Sequence, residues 1–206
     1  MSRLELLAVS DGALRLAGGS FVPACTVVTG DEASALASLA AVTSGVAPAR
    51  GAVLLDGKRL AAWPPARRRV ASALAREALP PAANLERAVA RVLAARRDRS
   101  SAADVLERFG IGAWGKKQPD ALDRDELRSV ALVLALSHAE AEVLVVYEPL
   151  STSVLEPALV REQIAAAVAR DAIVVLVTGS LATAQSFGGP HAAVVNGVLS
   201  PAEGPA

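Results

Sequence analysis

The residue best placed for chemistry is Glu148, which follows the four consecutive aliphatic residues at 143–146 and Tyr147. Such an aliphatic run is typical of a strand buried on both faces of a parallel sheet. Pro149 ends the strand because proline cannot donate a ladder hydrogen bond. In open α/β sheets, ligands bind at the carboxyl ends of the strands. Glu148 is therefore the first candidate for a functional carboxylate.

Few other side chains are reactive, since the chain has one cysteine and two histidines. Cys25 lies in an apolar run, which predicts a buried and inert thiol. A single cysteine rules out an internal disulfide and fits a reducing compartment. His138 and His191 lie far apart in the sequence and fit no metal-ligand pattern. We therefore predict no metal site and interpret both histidines as structural.

The composition excludes several function classes. Of the 206 residues, 52% are apolar, and the formal net charge is zero. A neutral chain gives no electrostatic argument for nucleic acid or an anionic membrane, and the arginine runs at 67–69 and 96–97 are interpreted as solvated faces. No apolar stretch reaches membrane-spanning length, and the N-terminus lacks a signal-peptide pattern. We expect a cytoplasmic protein with no nucleic-acid partner and no membrane insertion.

Strands and helices alternate along the chain, which predicts an α/β fold with a mostly parallel sheet. Strands are predicted at 3–8, 13–16, 24–28, 52–55, 143–148, 172–177 and 192–195, and a short helix followed by a strand is predicted within 67–71. Helices are predicted at 31–43, 83–96, 101–109, 123–138, 156–169 and 181–187. The purely helical middle, about 76–140, is predicted to be an insertion into a core formed by 1–75 and 141–200. All 206 residues then form one domain.

Several stretches resemble the ATP-binding cassette (ABC) ATPases in order and spacing. Residues 51–60 are similar to the family's hairpin after the phosphate-loop helix, and residues 130–136 resemble its V-A-L-A-R-A-L helix. Residues 148–150 and 156–159 resemble the end of the Walker B strand and the D-loop. Residues 177–178 and 194–197 resemble the family's last two core strands. The resemblance implies a P-loop NTPase-like core with an N-terminal antiparallel β subdomain and an inserted helical subdomain.

The resemblance is weakest at the phosphate loop, which in the family reads G-x-x-G-x-G-K-[ST]. The glycines let backbone N–H groups wrap the phosphates, and the lysine neutralises their charge. In this chain the segment starts at Gly30, and Ala33 and Ala35 stand at the positions of the later glycines. Leu36 stands at the lysine position and Ala37 at that of the magnesium-binding hydroxyl, and Ser38 follows.

Two acidic residues, Asp31 and Glu32, stand where the resemblance implies that a polyanion docks. Each carboxylate–phosphate contact at about 4–5 Å would cost on the order of 4 kcal/mol at an effective dielectric constant near 20. Residues 29–32 also fit a Thr-x-x-Glu capping box. We therefore predict that the following helix caps its own N-terminus instead of binding phosphate.

The signature loop, L-S-G-G-E in the family, is also changed. Its positions hold Leu122, Asp123, Arg124, Asp125 and Glu126. The resemblance implies that this loop faces the γ-phosphate held by another protomer. The two aspartates would repel that phosphate, and the arginine would partly offset the repulsion. Asp123 with Glu126 also predicts a helix N-cap.

Three further positions depart from the family pattern. Tyr147 stands in place of the magnesium-binding aspartate, and a phenol that is neutral at pH 7 is a poor Mg²⁺ ligand. Gly179 stands in place of the switch histidine, and Ala75 in place of the Q-loop glutamine. Only Glu148, the family's general base for water, is retained. Without a metal or lysine it is interpreted as vestigial and structural, hydrogen-bonding nearby backbone or Tyr147.

These departures predict a chain that is not an enzyme: a catalytically inactive, ABC ATPase-like protein that binds no cofactor and acts as a protein-interaction subunit. Residues 76–92 would form the surface that in the family receives a permease helix. The family's head-to-tail face would serve a homodimer or a pair with a paralogous ATPase. The alternative is a degenerate ATP-binding subunit that pairs with an active ATPase and a membrane permease. A third reading is a true ATPase with unusual residues, or another small-molecule binder in the vacated pocket.

Overall fold

The computed structural model describes residues 2–64, 68–74, 79–150, 154–196 and 198–201. Its strands are β1 (Leu4–Asp11), β2 (Leu14–Arg15), β3 (Gly18–Phe21), β4 (Ala24–Gly30), β5 (Arg50–Leu55), β6 (Lys58–Arg59), β7 (Val70–Ala73), β8 (Val143–Tyr147), β9 (Ile173–Val177), β10 (His191–Val195) and β11 (Val198–Pro201). Its α-helices are α1 (Ala33–Thr43), α2 (Leu85–Ala95), α3 (Ala102–Arg108), α4 (Arg124–Leu136), α5 (Pro157–Ala169) and α6 (Leu181–Phe187). Short 3₁₀ turns lie at Leu60–Ala62, Gly112–Lys116 and Pro119–Ala121.

The larger sheet confirms the predicted mostly parallel core. Its six strands lie in the order β11-β10-β4-β9-β8-β7, and β11 alone runs antiparallel to its neighbour. Every residue of β9 is buried, and so is every residue of β8 except Tyr147. Helices cover both faces of such a sheet, so its central strands are continuously apolar.

The smaller sheet confirms the predicted N-terminal antiparallel β subdomain. Its order is β2-β1-β5-β6, and β3 also pairs with β1. Strand β3 was not predicted, because its sequence Gly-Gly-Ser-Phe has low β-propensity. It forms because β1 supplies a partner along its whole length, from Leu4 opposite Phe21 to Leu7 opposite Gly18.

Helix α1 joins the two sheets into one core. Leu36 and Leu39 of α1 pack in one cluster with Leu6 of the small sheet and with Val145 and Val175 of the large sheet. A second cluster on the other face of the large sheet contains buried residues of α2, α3, α4 and α5. The parallel sheet is therefore covered on both sides, and its strand ends remain accessible.

Helices α2 to α4 lie between β7 and β8, which are parallel neighbours in the sheet. This agrees with the predicted inserted helical segment. Its limits at 76 and 140 stay a prediction, and residues 75–78 lie outside the described part of the chain. Within the described ranges, no helix combines the length and the apolar character needed to cross a membrane.

Candidate functional site

Three loops meet at the carboxyl edge of the parallel sheet. Strand β9 lies between β4 and β8, with Val177 opposite both Val28 and Tyr147. The ends of these strands and the loops after them therefore lie side by side: Gly30 is the last residue of β4, and Glu148 and Gly179 follow β8 and β9. The structure thus brings together the phosphate-loop, Walker B and switch positions that were predicted from the sequence.

Glu148 is fixed by two hydrogen bonds to the loop after β9. Its Oε2 accepts a hydrogen bond from the Thr178 hydroxyl at 2.7 Å, and its Oε1 accepts one from the Gly179 N–H at 2.6 Å. The backbone of Glu148 has a φ of +50°, and its N–H donates to the Val177 carbonyl at 2.7 Å. The partners of the carboxylate are thus Thr178 and Gly179 and not Tyr147. Sequence reasoning missed Thr178 as a partner, although a hydroxyl directly after a buried strand is a usable signal.

Tyr147 is half-buried and packs against the cluster that contains α1. Burial raises the pKa of its phenol, and the neighbouring Glu148 charge raises the pKa further, whereas Arg128 opposes the shift. The phenol is therefore neutral near pH 7, and it offers no charged oxygen to a divalent cation.

Leu36, at the position of the family's phosphate-binding lysine, lies between two of the three loops. Its side chain is 1% exposed. A Cβ built on Gly30 would lie 3.2 Å from Leu36 Cδ2, and one built on Gly179 would lie 3.9 Å from Leu36 Cδ1. The base of the loop region is therefore filled by an aliphatic side chain that packs downward into the core.

The predicted capping box at residues 29–32 is wrong. The N-cap of α1 is Glu32, and no side chain caps this helix. Thr29 instead belongs to β4, where it lies opposite Ala193. Its hydroxyl donates a hydrogen bond to the Ala192 carbonyl at 3.5 Å. Strand β4 extends two residues further than predicted, because β10 pairs with its end, so α1 begins later.

The first turn of α1 therefore keeps backbone N–H groups without a side-chain cap. Asp31, Glu32, Ala33 and Ser34 are all exposed, and Glu32 Oε1 accepts a hydrogen bond from the Ser34 hydroxyl at 2.7 Å. The two carboxylates thus stand beside the helix N-terminus. Further along, Ala35 is buried, and Ala37 and Ser38 are half-buried.

The signature-loop residues form the N-cap that the sequence predicts. Asp123 Oδ1 accepts hydrogen bonds from the N–H groups of Asp125 at 2.9 Å and Glu126 at 2.8 Å. Glu126 Oε2 accepts one from the Asp123 N–H at 3.2 Å, and Lys117 forms an ion pair with Glu126. Leu122 is buried, whereas Arg124 is exposed. The N-terminal N–H groups of α4 are therefore used within this loop.

Replacing Asp123 by alanine is expected to lower the free energy of unfolding by about 1 kcal/mol, because two N–H groups of α4 lose their acceptor. Urea unfolding followed by circular dichroism measures the change. Asp120→Ala is the matched control, since Asp120 is exposed and precedes the loop. Equal effects of the two substitutions would contradict the capping role.

Gly30 and Gly179 offer a paired test of how tightly the three loops pack. A Cβ on Gly30 would lie 2.9 Å from the Val194 carbonyl oxygen, whereas a Cβ on Gly179 would meet only contacts of 3.5 Å or more. We expect Gly30→Ala to lower the free energy of unfolding by about 1–3 kcal/mol, the usual cost of overpacking. Gly179→Ala should lower it by less. Thermal unfolding of both variants measures this, and a Gly179→Ala variant less stable than Gly30→Ala would contradict the packing described.

Within the described residues, no group of three or more His, Cys, Asp or Glu side chains could hold a metal ion.

Burial raises the pKa of the Cys25 thiol to about 11. Ala75, the position of the family's Q-loop glutamine, lies outside the described residues.

Comparisons with solved structures give the fold. One match is described as the ATP-binding subunit of an ABC transporter, with a TM-score of 0.75, 21% identity, and coverage of 95% of this chain and 87% of that chain. Another is described as a nucleotide-free ATP-binding cassette from an ABC transporter, with a TM-score of 0.68, 15% identity, and coverage of 97% and 90%. No protein-family model matches the chain, and a search of curated proteins gives no match.

These neighbours correct one prediction. The sequence-based statement that the chain is not an enzyme is contradicted, because the solved structures that share its fold are described as an ATP-binding subunit and an ATP-binding cassette of ABC transporters. The residues that depart from the family pattern therefore do not by themselves show that the chain lacks activity.

Proposed function

Because the chain has the fold of an ABC-transporter ATP-binding cassette, we propose that it is a cassette subunit of a larger cytoplasmic assembly. Its contribution is contact with protein partners, and its own β4–α1 loop binds Mg-ATP weakly or not at all.

The observation that carries this proposal is the position of Leu36. A phosphate site at a helix N-terminus needs free N–H groups, and it gains much of its affinity from a nearby cation. Here the side chain at the lysine position is aliphatic and buried. It packs within the core, as its closeness to Gly30 and Gly179 indicates, so it supplies no charge to a bound phosphate.

The surrounding charges support the same proposal. Asp31 and Glu32 are exposed beside the N-terminus of α1, and like charges repel a triphosphate. Tyr147 offers a neutral phenol where a magnesium ligand would be needed, and the Glu148 carboxylate already accepts two hydrogen bonds. The region between the β4–α1 loop and the end of β8 therefore combines an unfavourable charge with poor metal ligands.

The proposed protein contacts fall on two surfaces. The first includes residues 79–92, the described part of the segment that resembles the family's permease-binding surface. The second is the counterpart of the family's head-to-tail face, to which the resemblance assigns the exposed residues Asp31, Asp123 and Asp125. This acidic surface suits a partner with basic or neutral loops better than a second copy of this chain. An active paralogous ATPase fits that description better than a homodimer.

A second candidate is favoured by one of the comparisons. The neighbour with the higher TM-score is an ATP-binding subunit of a transporter, so a chain with the same fold is a candidate subunit of one. In that role this chain would pair with an active ATPase and a membrane permease, and it would lie at the membrane through the permease.

We expect purified protein to show no saturable binding of a fluorescent ATP analogue at micromolar concentrations with Mg²⁺. Its melting temperature should not rise with Mg-ATP, although a ligand at 100 times its Kd stabilises a protein by about 2.7 kcal/mol. Mg²⁺ alone at matched ionic strength is the control. Micromolar binding that unlabelled ATP competes away would contradict the proposal. Co-purification with a permease and a complete ATPase would favour the second candidate.

A further inference from the structure

A mostly apolar cavity of about 380 Å³ lies beside the C-terminal end of α1. Its wall is completed by the loop before β5, by part of β5 itself and by the 3₁₀ turn at Leu60–Ala62. The main apolar residues of the wall are Val9, Val42, Val46, Pro48, Val53 and Leu60. A cavity of this volume that combines apolar walls with a few polar groups is typical of a small-molecule site.

The cavity is separate from the three loops at the carboxyl edge of the sheet and from the proposed partner surfaces. It lies at the end of α1 opposite the β4–α1 loop, and an α-helix of 11 residues is about 16 Å long. Its lining includes neither Glu148 nor any residue of 79–92. A ligand bound here would therefore not depend on the proposed loss of Mg-ATP binding or on the proposed protein contacts.

The loop at the mouth of the cavity is fixed by the end of α1. Gly45 has a φ of +72°, and its N–H donates to the Val42 carbonyl at 2.8 Å. The Val46 N–H donates to the Ala41 carbonyl at 3.0 Å, which completes the two hydrogen bonds of a Schellman motif. Val46 is nevertheless 63% exposed. Because it lines the cavity, its side chain extends the apolar wall to the solvent.

Arg68 supplies a positive charge in this wall. The prediction of a solvated arginine face is wrong for this residue, which is half-buried. Its Nε donates to the Trp63 carbonyl at 2.9 Å, and its Nη1 donates to the Gly45 carbonyl at 2.5 Å. The Cβ that Gly45 lacks would lie 3.1 Å from this Nη1 and 3.7 Å from Leu60 Cβ. The guanidinium is therefore held next to two residues that line the cavity.

The charge of Arg68 is not cancelled by a carboxylate. Its two hydrogen bonds go to carbonyls, which carry no net charge, and they use two of the five N–H donors of a guanidinium. Among the residues that the structure describes, no aspartate or glutamate lines the cavity. The carboxylate of Glu142 is engaged by Arg69 at 2.5 Å. Arg59, an exposed residue, also lines the cavity and adds positive charge at its rim.

We propose that this cavity binds a small monocarboxylate with an apolar body. The carboxylate accepts hydrogen bonds from the remaining N–H groups of Arg68, whose planar fork matches its two oxygens. The apolar body packs against the valines and Leu60, and its removal from water favours binding. A monoanion fits better than a phosphate dianion, because a single half-buried guanidinium would leave the second charge unpaired in apolar surroundings.

The test titrates octanoate into the full-length protein with isotope-labelled valine methyl groups. We expect the methyl signals of Val42, Val46 and Val53 to shift saturably, and those of Val89 and Val105 in the helical segment to stay in place. 1-Octanol, which lacks the charge, and acetate, which lacks the chain, should each bind at least about tenfold more weakly. Equal binding of octanol and octanoate, or tighter binding of octyl phosphate, would overturn the proposal.

Two pairs of variants locate the site by calorimetry with octanoate. Ala61→Phe should abolish binding by filling the cavity, whereas Ala62→Phe should not, since Ala62 is also exposed but does not line the cavity. Arg68→Gln should weaken binding about tenfold or more. Arg99→Gln changes the net charge equally at an exposed residue away from the cavity, and it should have no effect. Equal effects within either pair would overturn the proposal, and the alanine pair remains decisive if Arg68→Gln does not fold.

Discussion

Replacing Leu36 by alanine is expected to lower the free energy of unfolding by about 2–5 kcal/mol, the range for large-to-small substitutions in a core. Leu36 is 1% exposed and packs in the cluster that α1 shares with both sheets. Its removal leaves a void next to Gly30 and Gly179. Urea unfolding monitored by circular dichroism measures the loss.

The matched control is Leu181→Ala, the same substitution on α6 at a residue that is 67% exposed. We expect that variant to stay within about 0.5 kcal/mol of the parent chain. A Leu36→Ala variant as stable as the control would show that Leu36 is not packed between the loops. Because the void is apolar and brings no cation, Leu36→Ala should not gain affinity for Mg-ATP.

Replacing Glu148 by alanine is expected to lower the free energy of unfolding by roughly 1.5–3 kcal/mol, the contribution of hydrogen bonds to a charged group. The substitution removes the acceptor of the Thr178 hydroxyl and of the Gly179 N–H. Thr178 is fully buried, so water does not readily replace the lost partner. Unfolding measurements give the cost, and amide hydrogen exchange at Gly179 should become faster.

Glu162→Ala is the control for Glu148→Ala, since Glu162 is an exposed carboxylate on α5. We expect this variant to be close to the parent chain in stability. If both variants lose the same stability, or if exchange at Gly179 does not change, the link between the loops after β8 and β9 is not the role of Glu148.

The parallel core could be predicted because each of its central strands is an uninterrupted aliphatic run. Residues 143–148 and 172–177 were predicted as strands, and β8 and β9 lie within these ranges, each one residue shorter. The N-cap at Asp123 was also predictable, since the hydrogen bonds of a capping box are local in sequence. Local patterns are sufficient for elements that depend on neighbouring residues.

The start of α1 could not be predicted from local sequence. Residues 29–32 fit a capping box, but pairing with β10 keeps Thr29 in β4. The partner strand comes more than 160 residues later in the chain, so no local pattern reveals it. Strand β3 has the same origin, because its pairing with β1 overrides the low β-propensity of its glycines.

The partial burial of Arg68 and Arg96 was missed for a similar reason. Arg68 precedes β7 and Arg96 is the C-cap of α2, and each donates a hydrogen bond to a carbonyl that is distant in the sequence. In the sequence, an exposed arginine and a half-buried one look alike. The carbonyls that hold these guanidinium groups, such as those of Gly45 and Leu134, give no sequence signal at all.

A crystal structure of the protein grown with saturating Mg-ATP would show whether the β4–α1 loop holds the triphosphate. We expect Leu36 to stay packed beneath Gly30, with no triphosphate density at the N-terminus of α1. Density for the β- and γ-phosphates and Mg²⁺ between that helix end and Glu148 would refute the proposal that this loop does not bind Mg-ATP.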